Sequence, residues 1–204
     1  MATLAEMRAT IEGLLNRGDI TDDIITAIRR AVKYYERRPF YFNEGTTSAS
    51  LTTSSSQASY NVPDDFVSDI NLMVNYNGHR YPLEKKPHQW IESIDVSSIY
   101  GQPSYYSIYG EQIHYYPVPN QSHTVSLTYI KRLATLSAST DTNAFLTQAE
   151  DLIEARAMWW VASRKMRNLN LAQSFKVDEN EALGAVVSET EQRALSGKVT
   201  PDGL

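Results

Sequence analysis

Ser104-Tyr105-Tyr106-Ser107-Ile108-Tyr109-Gly110-Glu111-Gln112-Ile113-His114-Tyr115-Tyr116-Pro117 is the stretch on which the fold turns. Gly110-Glu111 reads as the two-residue loop of a β-hairpin. That loop pairs Tyr109 with Gln112, Ile108 with Ile113, Tyr106 with Tyr115 and Tyr105 with Tyr116. Ile108, Ile113, Tyr106 and Tyr115 then share one face, so the side-chain pattern and the turn specify the same register. Working outward, Pro117-Val118-Pro119-Asn120 stops the second strand, and His123–Ile130 reads as another, with Val125, Leu127 and Tyr129 alternating. Upstream, Gln57–Asn61 and Phe66–Tyr76 read as strands. Asn77-Gly78 predicts a type I′ turn into His79–Leu83, and Pro87–Val96 reads as a short helix carrying Trp90, Ile91 and Ile94.

The ends differ in composition from this middle. All thirteen tyrosines lie between Tyr34 and Tyr129. Residues 1–38 hold seven basic and six acidic side chains, and residues 131–204 hold nine and ten. Residues 39–130 hold three basic and eight acidic, net −5. Charge-dense, balanced ends around a charge-poor, tyrosine-rich middle divide the chain into helix, sheet and helix. The expected class is α+β: a bundle made by the N- and C-terminal helices with an inserted antiparallel β-rich domain. The expected divisions are 1–38, 39–130, 131–196 and a tail at 197–204.

Local signals place the helices. Thr3-Leu4-Ala5-Glu6 has the spacing of a capping box. Leu4, Met7, Ile11 and Leu14 follow at helical spacing, and Gly18 is the expected residue past the helix end. A second helix from Asp19 or Thr21 carries Asp22 and Asp23 in its first turn and buries Ile24, Ile28, Ala31 and Tyr35, with Pro39 ending it. Thr147-Gln148-Ala149-Glu150 has the form of a second capping box, before Ile153, Ala157, Trp160 and Val161. A last helix is expected from about Leu171 to Leu195. Residues 43–59 form a Ser/Thr-rich loop: ten of the fourteen residues from Thr46 to Ser59 are Ser or Thr, and Leu51 is the one large apolar side chain. Such a stretch cannot bury enough to fix itself. It reads as a surface loop or as an arm that orders against another subunit.

Composition and motifs narrow the function classes. The chain has 204 residues, no cysteine and a formal charge of −5. Disulfides, thiolate metal sites and cysteine nucleophiles are therefore excluded, and a general nucleic-acid binder is disfavoured for want of a Lys/Arg excess. No apolar run reaches membrane-spanning length, and no basic region precedes an apolar stretch near Met1, so no signal peptide is expected. His79, His88, His114 and His123 have no metal-ligand spacing, so no metal is expected. Motifs for nucleotide cradling or a nucleophile elbow are absent, and no cofactor or catalytic residue is expected. The carboxylate pairs Glu36/Glu44 and Asp64/Asp65 have the minimum for glycoside hydrolysis, but Asp64-Asp65 after Pro63 reads first as turn chemistry. The basic cluster Arg29, Arg30, Lys33, Arg37 and Arg38 reads either as a contact to phosphate or an acidic partner, or as a solvated face that compensates the helix dipole.

One resemblance joins these fragments. The order is Tyr34-Tyr35-Glu36-Arg37-Arg38-Pro39-Phe40-Tyr41-Phe42-Asn43-Glu44, the Ser/Thr gap, and Tyr60-Asn61-Val62-Pro63-Asp64-Asp65-Phe66. Tyr81-Pro82-Leu83, Trp90 and Gly101-Gln102-Pro103 follow, then the hairpin through Pro119, and finally Phe145-Leu146 and Leu152-Ile153. Over roughly residues 20–165 this resembles the head-to-tail adaptor (connector) proteins of tailed bacteriophages, of the tail-accessory-factor type. The resemblance implies a helical bundle carrying a β-rich domain. It also implies a homo-oligomeric ring, usually of twelve copies, that joins the portal protein to a tail nozzle or tail-tube component. Such a ring sits at the head–tail junction of a virion made in the host cytoplasm. DNA passes through its channel without specific binding, and no membrane is involved. The alternatives are a peptidoglycan-cleaving virion enzyme or another oligomeric tail or baseplate component.

Within that frame, residues can be given roles. Lys198, Val199, Thr200 and Pro201 are portal-contact candidates, because Pro201 biases Thr200 toward an extended strand that can add to a partner. Arg29, Arg30 and Lys33 are the second portal-contact set. Asp64, Asp65 and Asp69 are channel-facing candidates, since an acidic lumen repels passing DNA. Thr47, Leu51 and Ser55 are inter-subunit or tail-contact candidates.

Overall fold

A computed structural model describes residues 2–47, 51–94 and 99–196. The chain divides into two compact units. One holds the residues up to Asn43 and those from Arg132 onward, and the other is Glu44–Lys131. The elements in chain order are α1 (Leu4–Leu15), α2 (Thr21–Tyr35), β1 (Glu44–Thr47), β2 (Ser59–Asn61), β3 (Phe66–Tyr76), β4 (His79–Pro82), β5 (Glu84–Lys85), α3 (His88–Glu92), β6 (Tyr100–Gly101), β7 (Tyr105–Tyr109), β8 (Gln112–Tyr116), β9 (Val118–Pro119), β10 (Thr124–Lys131), α4 (Ala144–Gln148), α5 (Glu150–Arg164) and α6 (Leu169–Ser196). Helices at the two ends of the sequence and antiparallel sheets between them give the expected α+β class.

In the helical unit, α1 opens with the capping box: the Thr3 hydroxyl accepts from the Glu6 N–H, and the Glu6 carboxylate accepts from the Thr3 N–H. The helix ends earlier than Gly18. Asn16 takes the left-handed conformation at φ 49° and closes it, which Asn tolerates better than most residues. The buried stripe is Leu4, Met7, Ile11 and Leu15, and Leu14, expected on it, is 60% exposed. On α2, Ile24, Ala27, Ile28, Ala31 and Tyr35 make the buried stripe. Fully burying each such aliphatic side chain contributes about 1.5–3 kcal/mol.

The expected capping box at Thr147 does not form. The Asn143 side chain caps α4 instead, accepting from the Phe145 and Leu146 N–H groups. Thr147 donates its hydroxyl back to the Asn143 carbonyl, the local competition to which Ser and Thr are prone. Next, α5 buries Leu152, Ile153, Ala155, Ala157, Met158, Val161 and Ala162. It packs against both α2 and α6, which explains its wide apolar surface. Residues 39–43, expected to open the β-rich domain, belong to the helical unit. Phe40 is buried there beside Phe42 and Phe145, and Asn43 is fully buried, its amide oxygen accepting from the Phe40 N–H.

In the β unit, the hairpin β7–β8 has the expected register, from Tyr105↔Tyr116 to Tyr109↔Gln112. Gly110 (φ 57°) and Glu111 (φ 61°) supply the two left-handed residues of its turn. Asn77 (φ 51°) and Gly78 (φ 82°) do the same between β3 and β4. One four-stranded sheet has the order β1-β10-β3-β4 and another β2-β8-β7-β5. The β5–β7 and β6–β9 pairings are parallel and were not legible, because two-residue strands carry no periodicity. The expected helix at Pro87–Val96 is shorter, and Val96 lies outside the described residues.

The Ser/Thr-rich segment is held at both described ends. Its first part pairs with β10 through Glu44↔Ile130 to Thr47↔Leu127. Leu51, 3% exposed, enters the core of this unit with Leu72, Val74, Tyr106, Ile113, Tyr115, Val125 and Leu127. Thr53 is buried too, and its hydroxyl accepts from the His123 N–H at 2.8 Å. Among the described residues, the expectation of a stretch unable to fix itself is not met at 44–47 and 51–56, where strand pairing, the burial of Leu51 and Thr53, and the Ser56 N–H bond to the Pro119 carbonyl hold the chain.

Candidate docking surface

The cations of α2 fall on two sides. Arg29 and Lys33, four residues apart, share one face of the helix, and Arg37, two residues past the helix end at Tyr35, lines the same cleft. Opposite them runs the segment Arg132–Leu136, which lies outside every strand and helix. Together they wall a cleft of about 430 Å³, lined also by Val32 and Glu36. Arg29 joins the walls. Its Nε donates to the Leu136 carbonyl at 2.7 Å and its Nη2 to the Ser137 carbonyl at 2.8 Å. Beneath, Leu136 is buried in the helical core. Arg132 approaches Glu36 at 3.9 Å. Lys33 and Arg37 are exposed, so their charge stands in solvent at the mouth.

Arg30 is separated from that stripe. Its guanidinium lies 5.2 Å from the Trp160 ring centroid, in a smaller recess with Tyr34 and Arg156. Nearby, a buried charge cluster that sequence reasoning missed ties α2, α5 and α6 together. Glu179, 1% exposed, accepts from the Tyr35 hydroxyl at 2.5 Å and from Arg156 Nη1 at 3.1 Å, with Lys176 Nζ at 2.9 Å. Arg156 also covers the faces of Tyr34 (3.9 Å) and Trp159 (4.3 Å). Burial, then the bond to Glu179, pushes the Tyr35 phenol well above its ordinary range. With three partners the buried carboxylate is paired, and removing one of them leaves an uncompensated buried charge. Only the tertiary fold brings residues 35, 156 and 179 together, and no local spacing announces it.

In the β unit the three channel candidates meet different fates. Asp64 is exposed. Asp65 accepts from the Tyr129 hydroxyl at 2.8 Å, and burial with that bond raises the Tyr129 pKa to about 12. Asp69 accepts from the Tyr106 hydroxyl at 2.7 Å and pairs with Lys85 at 2.6 Å. Burial disfavours its charge, but the Lys85 and Tyr106 bonds outweigh burial and hold the carboxyl below its usual range. Lys85 thus neutralises Asp69, while Asp64 keeps its charge in solvent.

The remaining candidates are placed as follows. Leu51 is enclosed by its own unit, so its side chain is unavailable to another subunit. Ser55 is exposed, and Thr47 sits at the end of β1. Lys198, Val199, Thr200 and Pro201 lie outside the described residues. Burial, then His88, lowers the pKa of His114. The His88 ring lies between this neighbour (4.7 Å) and Tyr109 (4.4 Å, stacked). Among the described residues no group of three or more His, Asp or Glu side chains could hold a metal, and no helix is long and apolar enough to cross a membrane. What the helical unit offers chemically is a positively charged cleft with an apolar floor.

A family model described as SU10 adaptor protein matches residues 2–202. No match was found among curated proteins.

Proposed function

Because the chain belongs to the SU10 adaptor protein family, we propose that it is a structural head-to-tail adaptor of a tailed-phage virion. It forms a ring at the head–tail junction, joins the portal protein to a tail nozzle or tail-tube component, and continues the channel through which DNA leaves. The observation that carries this reading is the family match over nearly the whole chain. The resemblance seen in the middle residues points the same way.

Several features support the finer parts. A ring requires two different, complementary surfaces on each copy. The exposed aromatics Tyr34, Tyr81, Tyr100 and Tyr109 are of the type enriched at protein interfaces. Twelve copies is the working stoichiometry, and the role is architectural rather than catalytic. Portal contact is assigned to the stripe containing Arg29 and Lys33 and to residues 198–201, with Arg30 as an accessory on the neighbouring recess. Asp64 is the strongest channel candidate, with Asp65 and Asp69 behind it, because their charge is partly taken up by Tyr129 and by Lys85. Thr47 and Ser55 remain inter-subunit or tail-contact candidates.

The test is native mass measurement of the purified chain, alone and mixed with the portal protein of the same phage. A closed oligomer on the portal, with a mass of portal plus an integral number of adaptor copies, is the expected result. A chain that neither oligomerises nor associates with portal removes the reading. Deleting 197–204 separates the two portal-contact sets: loss of association with the fold intact assigns docking to 198–201, and full retention assigns it to α2.

A further inference from the structure

We infer that the cleft between α2 and Arg132–Leu136 receives an extended acidic segment of a partner protein, one that flanks an apolar side chain with carboxylates. This deepens the adaptor reading by naming the chemistry of a contact, and it rests on that reading only for the partner being a virion component.

Three observations converge on that occupant. The rim is cationic, with Arg29, Lys33, Arg37 and Arg132 against the single carboxylate of Glu36. Arginine forks and a lysine recognise carboxylates by charge-assisted hydrogen bonds. The floor is apolar, built from Val32, Leu133, Ala134 and the buried Leu136, which suits a small aliphatic anchor. The second wall is extended chain outside any ladder. Its carbonyls at Ala134 and Leu136 are already taken, by Asn143 Nδ2 and by Arg29. The N–H groups of Leu133, Ala134, Thr135 and Leu136 donate to no backbone group among the described residues. An extended peptide laid along this wall supplies carbonyl acceptors to those of these N–H groups that face it.

The dimensions agree. From Arg29 to Tyr35, the last helical residue, is about 9 Å along the helix, the length of about two to three extended residues at about 3.3–3.6 Å each. A volume of about 430 Å³ lies within the range of small binding sites. Duplex DNA fits poorly. Its phosphates lie on a convex surface and its affinity grows with the number of phosphates neutralised, whereas in this concavity Arg29 is tied to wall carbonyls and Arg132 approaches Glu36, with Lys33 and Arg37 exposed at the mouth. The chain's own residues 197–204 contain one lysine and one aspartate, too little net acid to match the rim.

The probe is a fluorescein-labelled, acetylated and amidated peptide alternating Glu with Val, read by anisotropy with the full-length protein at low and high salt. A Gln-for-Glu counterpart and a short DNA duplex with the same label are run beside it. The Glu peptide should bind about tenfold or more tightly than the Gln peptide, with the difference shrinking at high salt. The double variant Lys33→Glu/Arg37→Glu should lose that preference while keeping the parent's thermal midpoint, since both side chains are exposed. Leu133→Ala should weaken both peptides a few-fold. Equal binding of the two peptides, undiminished Glu-peptide binding by the double variant, or tighter binding of the duplex to the same residues overturns the proposal. Co-sedimentation with portal, run on the same variant, keeps the two readings apart. A variant that loses the peptide but holds portal supports the cleft and moves its partner away from portal. A variant that loses portal although the parent never bound the peptide overturns the cleft and leaves the adaptor reading standing.

Discussion

The helical unit and the β unit use the same device, a tyrosine hydroxyl donating to a carboxylate, but with the paired cations at different depths. In the helical unit Tyr35 reaches Glu179, which is 1% exposed and shared with Arg156 and Lys176 between three helices. In the β unit Tyr106 reaches Asp69 and Tyr129 reaches Asp65, and Asp69's cation, Lys85, is half in solvent. Removing a partner inside a low-dielectric core leaves a bare charge, whereas near a surface water fills the gap. The lesson is that both units rest on apolar cores, and that the helical unit adds a polar cluster enclosed between its helices while the β unit adds a carboxylate whose cation reaches solvent.

The largest effect is expected at the helical cluster. Glu179→Ala should destabilise that unit by about 3–5 kcal/mol, seen as early urea unfolding reported by Trp159 and Trp160. The double variant Arg156→Met/Glu179→Leu should recover most of it, because no buried charge is left over. A loss below about 1 kcal/mol in the single variant would mean water reaches Glu179, and the contrast of depth would fail.

Leu51→Ala comes next, at about 2–4 kcal/mol through a cavity among Leu72, Val125 and Leu127. Hydrogen exchange should rise throughout β3 and β10 and stay unchanged in α5. An unchanged β unit would return Leu51 to the surface as an inter-subunit contact.

Asp69→Asn should cost about 1–2 kcal/mol near neutral pH and alter the acid limb of the stability curve. The folded-state pKa of Asp69 is depressed. Its contribution is therefore fully present above the unfolded value and is lost as pH falls through the folded one. Urea midpoints measured below pH 5 should flatten in the variant, and an acid limb identical to the parent's would remove Asp69 as a tether.

The smallest effect belongs to His123, whose folded pKa is lowered by burial. Its Nε2 is buried without a partner, and Tyr76 lies 5.7 Å away. The folded state resists protonation, so stability is full above about pH 6.5 and declines as pH falls below it toward the folded value. His123→Gln should remove this slope and nothing else. A slope of the same size in the variant points to His114, which is depressed by burial and by His88.

Much of the fold was legible where one short stretch carries its own geometry. Gly110-Glu111 with the flanking Tyr and Ile pairs gave the hairpin register, and Thr3-Glu6 gave the start of α1. Legibility failed where two local signals compete. Thr147-Glu150 has the form of a cap, but Asn143 takes that role four residues earlier, and Asn16 ends α1 before Gly18. Residues 39–43 and 51–53 misled because their chemistry is decided by partners distant in sequence, Phe145 for Phe42 and His123 for Thr53. The candidate site divides in the same way. The basic cluster Arg29, Arg30, Lys33, Arg37 and Arg38 was visible in the sequence, but the end of α2 at Tyr35 and Arg132–Leu136 as the wall opposite Arg29 and Lys33 were not.

From sequence alone came the α+β class, the strand pairs next to their turns, the absence of thiol chemistry and the adaptor resemblance. The first three depend on side-chain periodicity, on composition or on a turn whose geometry is confined to a few residues, and the resemblance depends on the order of the quoted fragments. Tertiary structure alone decided which carboxylate is locked, which is tethered and which stays charged in water: Glu179, Asp69 and Asp64 in turn. An isolated chain surrounds every carboxylate with water, and only packing replaces that water with Arg156, Lys85 or nothing at all.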